Sequence, residues 1–254
     1  MKTQSHDNAS GLAAERSVQD NVSIQYESQR YCLKYATCYH AWWMDEMIAM
    51  ASALGPGSAV LDNGCGTGHL IERLGDAQVI GLDLSGGMLR QARKRSSLLV
   101  QGDSQRLPLA DAQFDLVIAR SLLHHLPDPR RGIAEMHRVL KPGGQIVMAD
   151  TNRSMLNTLP RKLAYRSTHF SEGHQNLDRS AYLTWLQHYF RLERVRFFGY
   201  LAYPFGFPDM MGTLRSIPFP VPLVKGLIRI DNVLASIPGL RTQSWGIMVV
   251  GTRL

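Results

Sequence analysis

The sequence predicts a doubly wound α/β fold on a mostly parallel sheet of seven strands. Short continuous apolar runs alternate with helix-like stretches between residues 58 and 150, two of the runs end at an acid, and a glycine-rich turn follows the first. Continuous apolar runs mark strands covered on both faces. Right-handed crossovers then place helices on both sides of one sheet.

Residues 59–62 read as the first strand, and 68–74 continue from the glycine turn as a helix. Residues 79–83 are the second strand, followed by a helical stretch through Arg95. Residues 98–101, 114–119 and 145–149 are the third to fifth. Residues 131–140, before the last of these, are helical, and Pro142, Gly143 and Gly144 end that helix. A helical stretch runs from Asp150 to about Phe190, and strand-like runs at 195–200 and 246–250 complete the sheet.

The chain has 254 residues, enough for one core domain with an added lobe. Residues 1–21 are polar, lack an apolar period and read as a mobile tail. Residues 22–54 carry Tyr26, Tyr31, Tyr35, Tyr39, Trp42 and Trp43 and read as an N-terminal helical lid. The core is 55–254, interrupted at about 203–242 by a second lid that is apolar but broken by Pro208, Pro218, Pro220, Pro222 and Pro238. The formal charge of +7 is modest for the length, whereas nucleic-acid binding calls for Lys and Arg focused into a stripe. The tightest set, Arg90, Arg93, Lys94 and Arg95, reads as a solvated helix face. Three cysteines, Cys32, Cys38 and Cys65, without a CxxC spacing indicate neither a disulfide framework nor a zinc site, and no metal is expected. A cytoplasmic setting fits them.

The chemistry centres on Asp62, Asn63, Gly64, Cys65, Gly66, Thr67 and Gly68. Glycines let the backbone turn sharply and let a ligand approach the main chain. A helix start after such a turn offers N–H groups to an anion. The dinucleotide fingerprint is G-x-G-x-x-G/A, and here the third glycine comes one place early, with His69 at the expected position. A second acid, Asp83, ends the next strand and suits the ribose hydroxyls of either cofactor class.

With the later motifs added, the chain resembles the class I methyltransferases dependent on S-adenosylmethionine (SAM), in the broad small-molecule group that includes the ubiquinone/menaquinone C-methyltransferases. The motifs are the loop 62–68, residues 81–85 with Met88 and Leu89, residues 102–108, 114–117, 122–128 and 138–144. The resemblance covers about residues 60–150 and implies a Rossmann-like core that binds SAM and leaves S-adenosylhomocysteine (SAH). It implies that Asp62, Asn63, Gly64, Cys65, Gly66 and Gly68 form the loop at the methionyl end, with the Gly64 and Arg120 carbonyls toward the ammonium. Asp83 would hold the ribose, Leu84 would lie against the adenine, and Met88 would pack near either. Asp103 would accept the adenine amino group, with the Ser104 backbone beside it. Tyr26, Tyr31, Tyr35 and Tyr39 are candidates to cover the cofactor, ring faces toward the sulfonium.

An acceptor O–H or activated carbon must lose a proton, which makes His124, His125 and His40 the candidate bases. His69 suits a structural or cofactor-side role. Ala119, Arg120, Ser121 and Leu122 stand where exocyclic-amine methyltransferases carry an Asn/Asp-Pro-Pro-aromatic turn, which disfavours that reaction. The apolar segments 205–211 and 217–224 point to an apolar or aromatic acceptor, O- or C-methylated. Lys225, Arg229 and Asp231 make the region too charged to span a bilayer, though it also suits a peripheral membrane contact. The expected partner is a small molecule and not a nucleic acid. The alternatives are a nicotinamide-dependent oxidoreductase, a SAM-binding module that transfers no methyl, and an RNA or protein methyltransferase.

Overall fold

The structure, a computed structural model, describes the backbone of residues 2–155, 157, 178–208 and 217–254, with side chains for all of these except 2–10 and 29. Two helices come first, α1 (Lys2–Arg30) and α2 (Lys34–Met50). The alternating core is β1 (Ala59–Asn63), β2 (Gln78–Asp83), α3 (Gly86–Ala92), β3 (Leu99–Gln101), β4 (Phe114–Arg120), α4 (Pro129–Val139) and β5 (Leu140–Thr151). Then follow α5 (Arg179–Gln187), β6 (Phe190–Phe198), α6 (Tyr203–Gly206), α7 (Val221–Leu234) and β7 (Gly246–Arg253).

Among the described residues the strands form one seven-stranded sheet in the order β3-β2-β1-β4-β5-β7-β6. The first five are mutually parallel, and β7 runs antiparallel to both β5 and β6. This is the doubly wound α/β fold that the apolar runs predict. Alternate side chains of each central strand serve opposite faces, as the period of two requires. Val60, Leu116, Ile118, Val147, Met248 and Val250 pack with Trp43, Met47, Val224 and Ile228. Leu61, Val117, Ile146, Met148, Ile247 and Val249 pack with Ile133, Met136, Tyr182 and Leu186.

Three local expectations are corrected. Residues 2–21 are not a tail but most of α1. This helix docks through polar groups, which leaves no apolar period to read. Asp20 Oδ1 accepts from Ser85 Oγ (2.6 Å) and from Gly87 N–H (2.8 Å), tying α1 to the first turn of α3. After the glycine loop there is only a 3₁₀ turn, Ile71–Arg73, where a helix is expected. Its bonds run from Arg73 N–H to Leu70 and from Leu74 N–H to Ile71, and the left-handed Gly75 then sends the chain to β2. Finally, α4 ends at Val139 and β5 begins at Leu140, so Pro142, Gly143 and Gly144 lie within the strand and do not end the helix. The expected helix over 156–177, apart from Asn157, and Asp209, Met210 and Met211 of the apolar segment lie outside the described residues.

Candidate functional site

A cleft opens at the carboxyl ends of the parallel strands, where doubly wound sheets bind ligands. The strand ends carry polar groups: Asp83 of β2, Arg120 of β4 and, just after β3, Asp103 line the cleft, while Asp62 of β1 and Asp150 of β5 are buried beneath it. Of the sequence-predicted residues, Tyr26, His40, Gly64, Cys65, Gly66, Asp83, Leu84, Met88, Asp103, Ser104, Arg120, His124 and His125 line the cleft. Asp62, Asn63 and Gly68 lie behind its wall. Asn63 Oδ1 accepts from Ser104 Oγ (2.8 Å) and so joins the β1 end to the β3 loop. Gly68 packs against Ala92 of α3.

The glycine loop is held from beneath by its neighbour strand. Gly64 and Cys65 N–H both donate to the Leu82 carbonyl, at 2.8 and 2.9 Å. Gly66 adopts φ +54°, and no atom lies within 4 Å of where its Cβ would stand, so its backbone is open to a ligand. Gly66 N–H donates to Asp83 Oδ2 (2.8 Å), and Ser85 N–H to Asp83 Oδ1 (2.9 Å). Burial raises the Asp83 carboxyl above its ordinary value, against the pull of those two N–H groups. Burial also lifts the Cys65 thiol far up, so it is no nucleophile.

Asp62 is 2 % exposed, and its Oδ2 has no hydrogen-bond partner. Burial pushes its carboxyl up to about 7, against the attraction of Arg120. An orphaned buried carboxyl beside a glycine turn fits a cofactor that brings an ammonium group. Asp103 Oδ1 accepts from Gln105 N–H at 2.8 Å and from Gln105 Nε2 at 3.2 Å.

The three candidate bases differ sharply. His40 is buried, and its Nε2 lies 2.7 Å from the Gly206 carbonyl, an acceptor only, so that nitrogen carries the proton. Its Nδ1 then accepts from Arg120 Nη1 at 3.4 Å. Burial first, then Arg120 and Arg30, drive its pKa well below normal. His40 is thus a neutral support for Arg120. His125 Nδ1 faces the buried Glu15 Oε1 of α1 at 2.9 Å. His124 Nδ1 lies 2.5 Å from Asp150 Oδ1, and both side chains are buried. Burial works to raise the Asp150 carboxyl, but His124 and the N–H groups of Thr151 and Leu123 outweigh it and hold it below its usual range. Ser121, at φ +54°, turns the chain sharply between Arg120 and the 3₁₀ turn Leu123–His125.

Of the four tyrosines, Tyr26 alone lines the cleft. Tyr35 and Tyr39 are core residues. Tyr31 stacks on His69 (centroids 3.6 Å apart) and accepts from Arg120 Nη2 (3.2 Å). His69 in turn bonds Glu27 of α1.

Sequence reasoning missed two groups. The first is the rest of one face of α1, where Leu12, Glu15, Gln19, Val22 and Arg30 line the cleft beside the predicted Tyr26. Their spacing of three or four residues is a helix face, legible only if polar positions are counted. The second is Asp150, seen only as a strand end but bonded to His124, together with Trp43, Tyr203 and Trp245, which join Phe207 of the predicted apolar segment in the cleft wall.

Residues 61–148 match the family model described as a methyltransferase domain. An uncharacterized 37.1 kDa protein in Streptomyces fradiae transposon TN4556 is 36 % identical over 151 residues, covering 56 % of this chain and 42 % of that protein. The demethylmenaquinone methyltransferase of Staphylococcus epidermidis is 33 % identical over 146 residues, 54 % of this chain and 59 % of that one. The chain thus spans about half the length of these relatives. A SAM-dependent methyltransferase from Thermotoga maritima shares the fold at a TM-score of 0.63 and 20 % identity, over 94 % of this chain and 99 % of that one. Over residues 61–148 the chain is thus similar to a methyltransferase domain, and it shares its fold with a SAM-dependent methyltransferase.

Proposed function

We propose that the protein transfers the SAM methyl group to a small acceptor with an apolar or aromatic body, by O- or C-methylation. The carrying observation is one cleft with two ends. The glycine loop, Asp83 and Asp103 lie at one, and Trp43, Tyr203, Phe207 and Trp245 wall the other. In this reading Gly64, Cys65 and Gly66 hold the methionyl end by their backbone, with the Gly64 and Arg120 carbonyls toward its ammonium and Asp62 behind the loop. Asp83 takes the ribose hydroxyls, Leu84 and Met88 flank the adenine, and Asp103 with Ser104 receives its amino edge. SAM, when bound, supplies an electrophilic methyl on a sulfonium.

The chain supplies alignment and proton removal. Holding an acceptor in line with the methyl is a large effective-molarity gain, and α1 with α6 excludes water. His124 removes the acceptor proton. Asp150 holds Nδ1, so proton exchange falls to Nε2, and the carboxylate stabilises the imidazolium that forms. The demethylmenaquinone methyltransferase relatives support an apolar ring as acceptor. A partner other than nucleic acid fits the charge pattern, because Arg95, part of the tightest basic set, is engaged by Glu27 and Glu72. No described helix is long and apolar enough to cross a membrane, and the three free cysteines fit a cytoplasmic setting.

The test is calorimetry with SAH, followed by mass-spectrometric detection of methylated product from an acceptor panel. SAH binding and an apolar product are expected, with the rate about 100-fold lower in His124→Ala and lowered in Asp150→Asn. No SAH binding refutes the reading, and full rate in His124→Ala refutes the base.

A further inference from the structure

Helix α7 carries two apolar stripes, where a surface helix carries one. Val224, Ile228 and Asp231, at spacings of four and three, are buried, and the first two join the core that holds Trp43 and Met47. Leu223, Ile230 and Val233 turn the other way. At about 100° per residue they share one sector of the helix, about 80° wide and on the far side from the buried one. They are 43, 47 and 63 % exposed, and Ile237 and Leu240, past the helix end, are exposed as well. Single exposed apolar residues are ordinary, but a stripe of them along one helix marks a docking surface.

The charges beside this stripe have one sign. Lys225 and Arg229 flank it on the side of Val233, Arg241 follows Leu240, and all three are exposed. Between residues 217 and 242 the sequence has one acid, Asp231. It is turned inward, where its carboxyl accepts from the N–H groups of Tyr200, Leu201 and Ala202. On the neighbouring α2, Glu46 is taken up by Arg196, which also bonds Asn232 of α7 (3.1 Å). The outer face of α7 thus offers apolar side chains beside cations and no carboxylate of its own.

We infer that α7 is a peripheral anchor for an anionic lipid surface. The helix lies in the plane of the headgroups, with Leu223, Ile230 and Val233 among the acyl chains and Lys225, Arg229 and Arg241 on the phosphates. Its 14 residues rise about 21 Å, too little to cross a bilayer and enough to lie along one. A second copy of the chain fits this face less well. With no acid there, a two-fold pairing sets cations only against cations or apolar side chains, and the net charge of +7 adds to the repulsion. The anchor adjoins the cleft wall: Phe219, just before α7, packs edge-on against Phe205 of α6 (5.0 Å), and α6 also carries Tyr203 of that wall. The inference stands apart from the methyl-transfer reading, although a cleft docked on lipid suits an acceptor with an apolar body.

The test is cosedimentation of the full chain with vesicles of phosphatidylcholine alone, or with about one-third phosphatidylglycerol, at low and raised salt. Sedimentation velocity without lipid accompanies it. Two double variants are compared with wild type, Ile230→Asp with Val233→Asp and Lys225→Gln with Arg229→Gln, and melting temperatures show that they fold. Wild type should bind the phosphatidylglycerol vesicles about tenfold or more tightly than phosphatidylcholine alone, and raised salt should weaken that binding. The aspartate pair should lower it about tenfold or more, because two inserted apolar side chains become charged. The glutamine pair should keep residual binding but lose the preference for phosphatidylglycerol. No binding of wild type to the anionic vesicles, or undiminished binding in either folded variant, overturns the anchor. So does a wild-type dimer without lipid that the aspartate pair dissociates, because a second copy then covers the stripe.

Discussion

The two ends of the cleft are built on different principles. At the glycine-loop end the donors are backbone N–H groups: Gly64 and Cys65 on Leu82, Gly66 and Ser85 on Asp83, Gln105 on Asp103. At the acceptor end they are side chains from remote segments. His40 of α2 reaches Gly206 of α6, Arg120 of β4 reaches Tyr31, and Arg30 of α1 lies on Phe207. A backbone cradle recognises a constant ligand and tolerates side-chain variation. A side-chain wall can change its ligand without disturbing the cradle, which is how one fold serves many acceptors.

If that division is right, damage at one end should spare the other. The largest effect is expected for Asp83→Ala. It removes the acceptor of two backbone N–H bonds to a charged group, each worth about 1.5–3 kcal/mol, together with the ribose contact. SAH affinity should fall about 100-fold or more by calorimetry. Unchanged affinity would break the comparison at its firmer end.

Gly206→Ala probes the other end. An added Cβ would stand 2.2 Å from Tyr39 Cδ1, and overpacking of this kind costs about 1–3 kcal/mol. The melting temperature and acceptor turnover should drop while SAH binding persists. Loss of SAH binding in this variant would show that the ends are not separable.

Asp62 gives a smaller, pH-dependent effect. Its folded pKa of about 7 lies above the ordinary 3.8. The folded chain keeps a proton that the unfolded chain gives up in that window, so this residue lowers stability as pH rises from about 4 to about 7. Asp62→Asn should remove that decline, raising the melting temperature of the SAH-free protein by several degrees near pH 7 relative to pH 4. Parallel profiles for the two proteins would contradict it.

The smallest effect is expected for Glu27→Gln. Glu27 joins α1 to His69 and Arg95, but it is about one-third exposed, and such pairs contribute at most about 1 kcal/mol. Amide exchange in α1 should quicken slightly, with exchange in β1 and β4 unchanged.

Legibility followed the same division. The sheet was readable because strands buried on both faces must be apolar, and the glycine loop because its spacing reflects local backbone geometry. The wall was harder, since only folding brings Trp43, Arg120, Phe207 and Trp245 together. His124 stood out as a titratable residue, but nothing in its neighbourhood in the sequence points to Asp150, one strand away. Residues 2–21 misled for a physical reason. A helix that docks through Asp20, Glu15 and Glu27 carries its signal in polar residues, where hydrophobic periodicity is silent. The helix expected after Gly68 failed for a different one. The left-handed Gly75 and the short path to β2 leave room for a single tight turn.

The roof formed by α1 carries a consequence for the timing of turnover. Leu12, Gln19, Val22 and Tyr26 line the cleft from above, and Asp20 and Glu27 fasten the helix at α3 and beside the glycine loop. If SAM and SAH exchange beneath this helix, as the proposed function requires, those fastenings must part in each cycle, and release rather than methyl transfer is the step expected to set the pace. Because Glu27 is held by charged partners, added salt should quicken product release while leaving a single turnover of bound reactants unchanged.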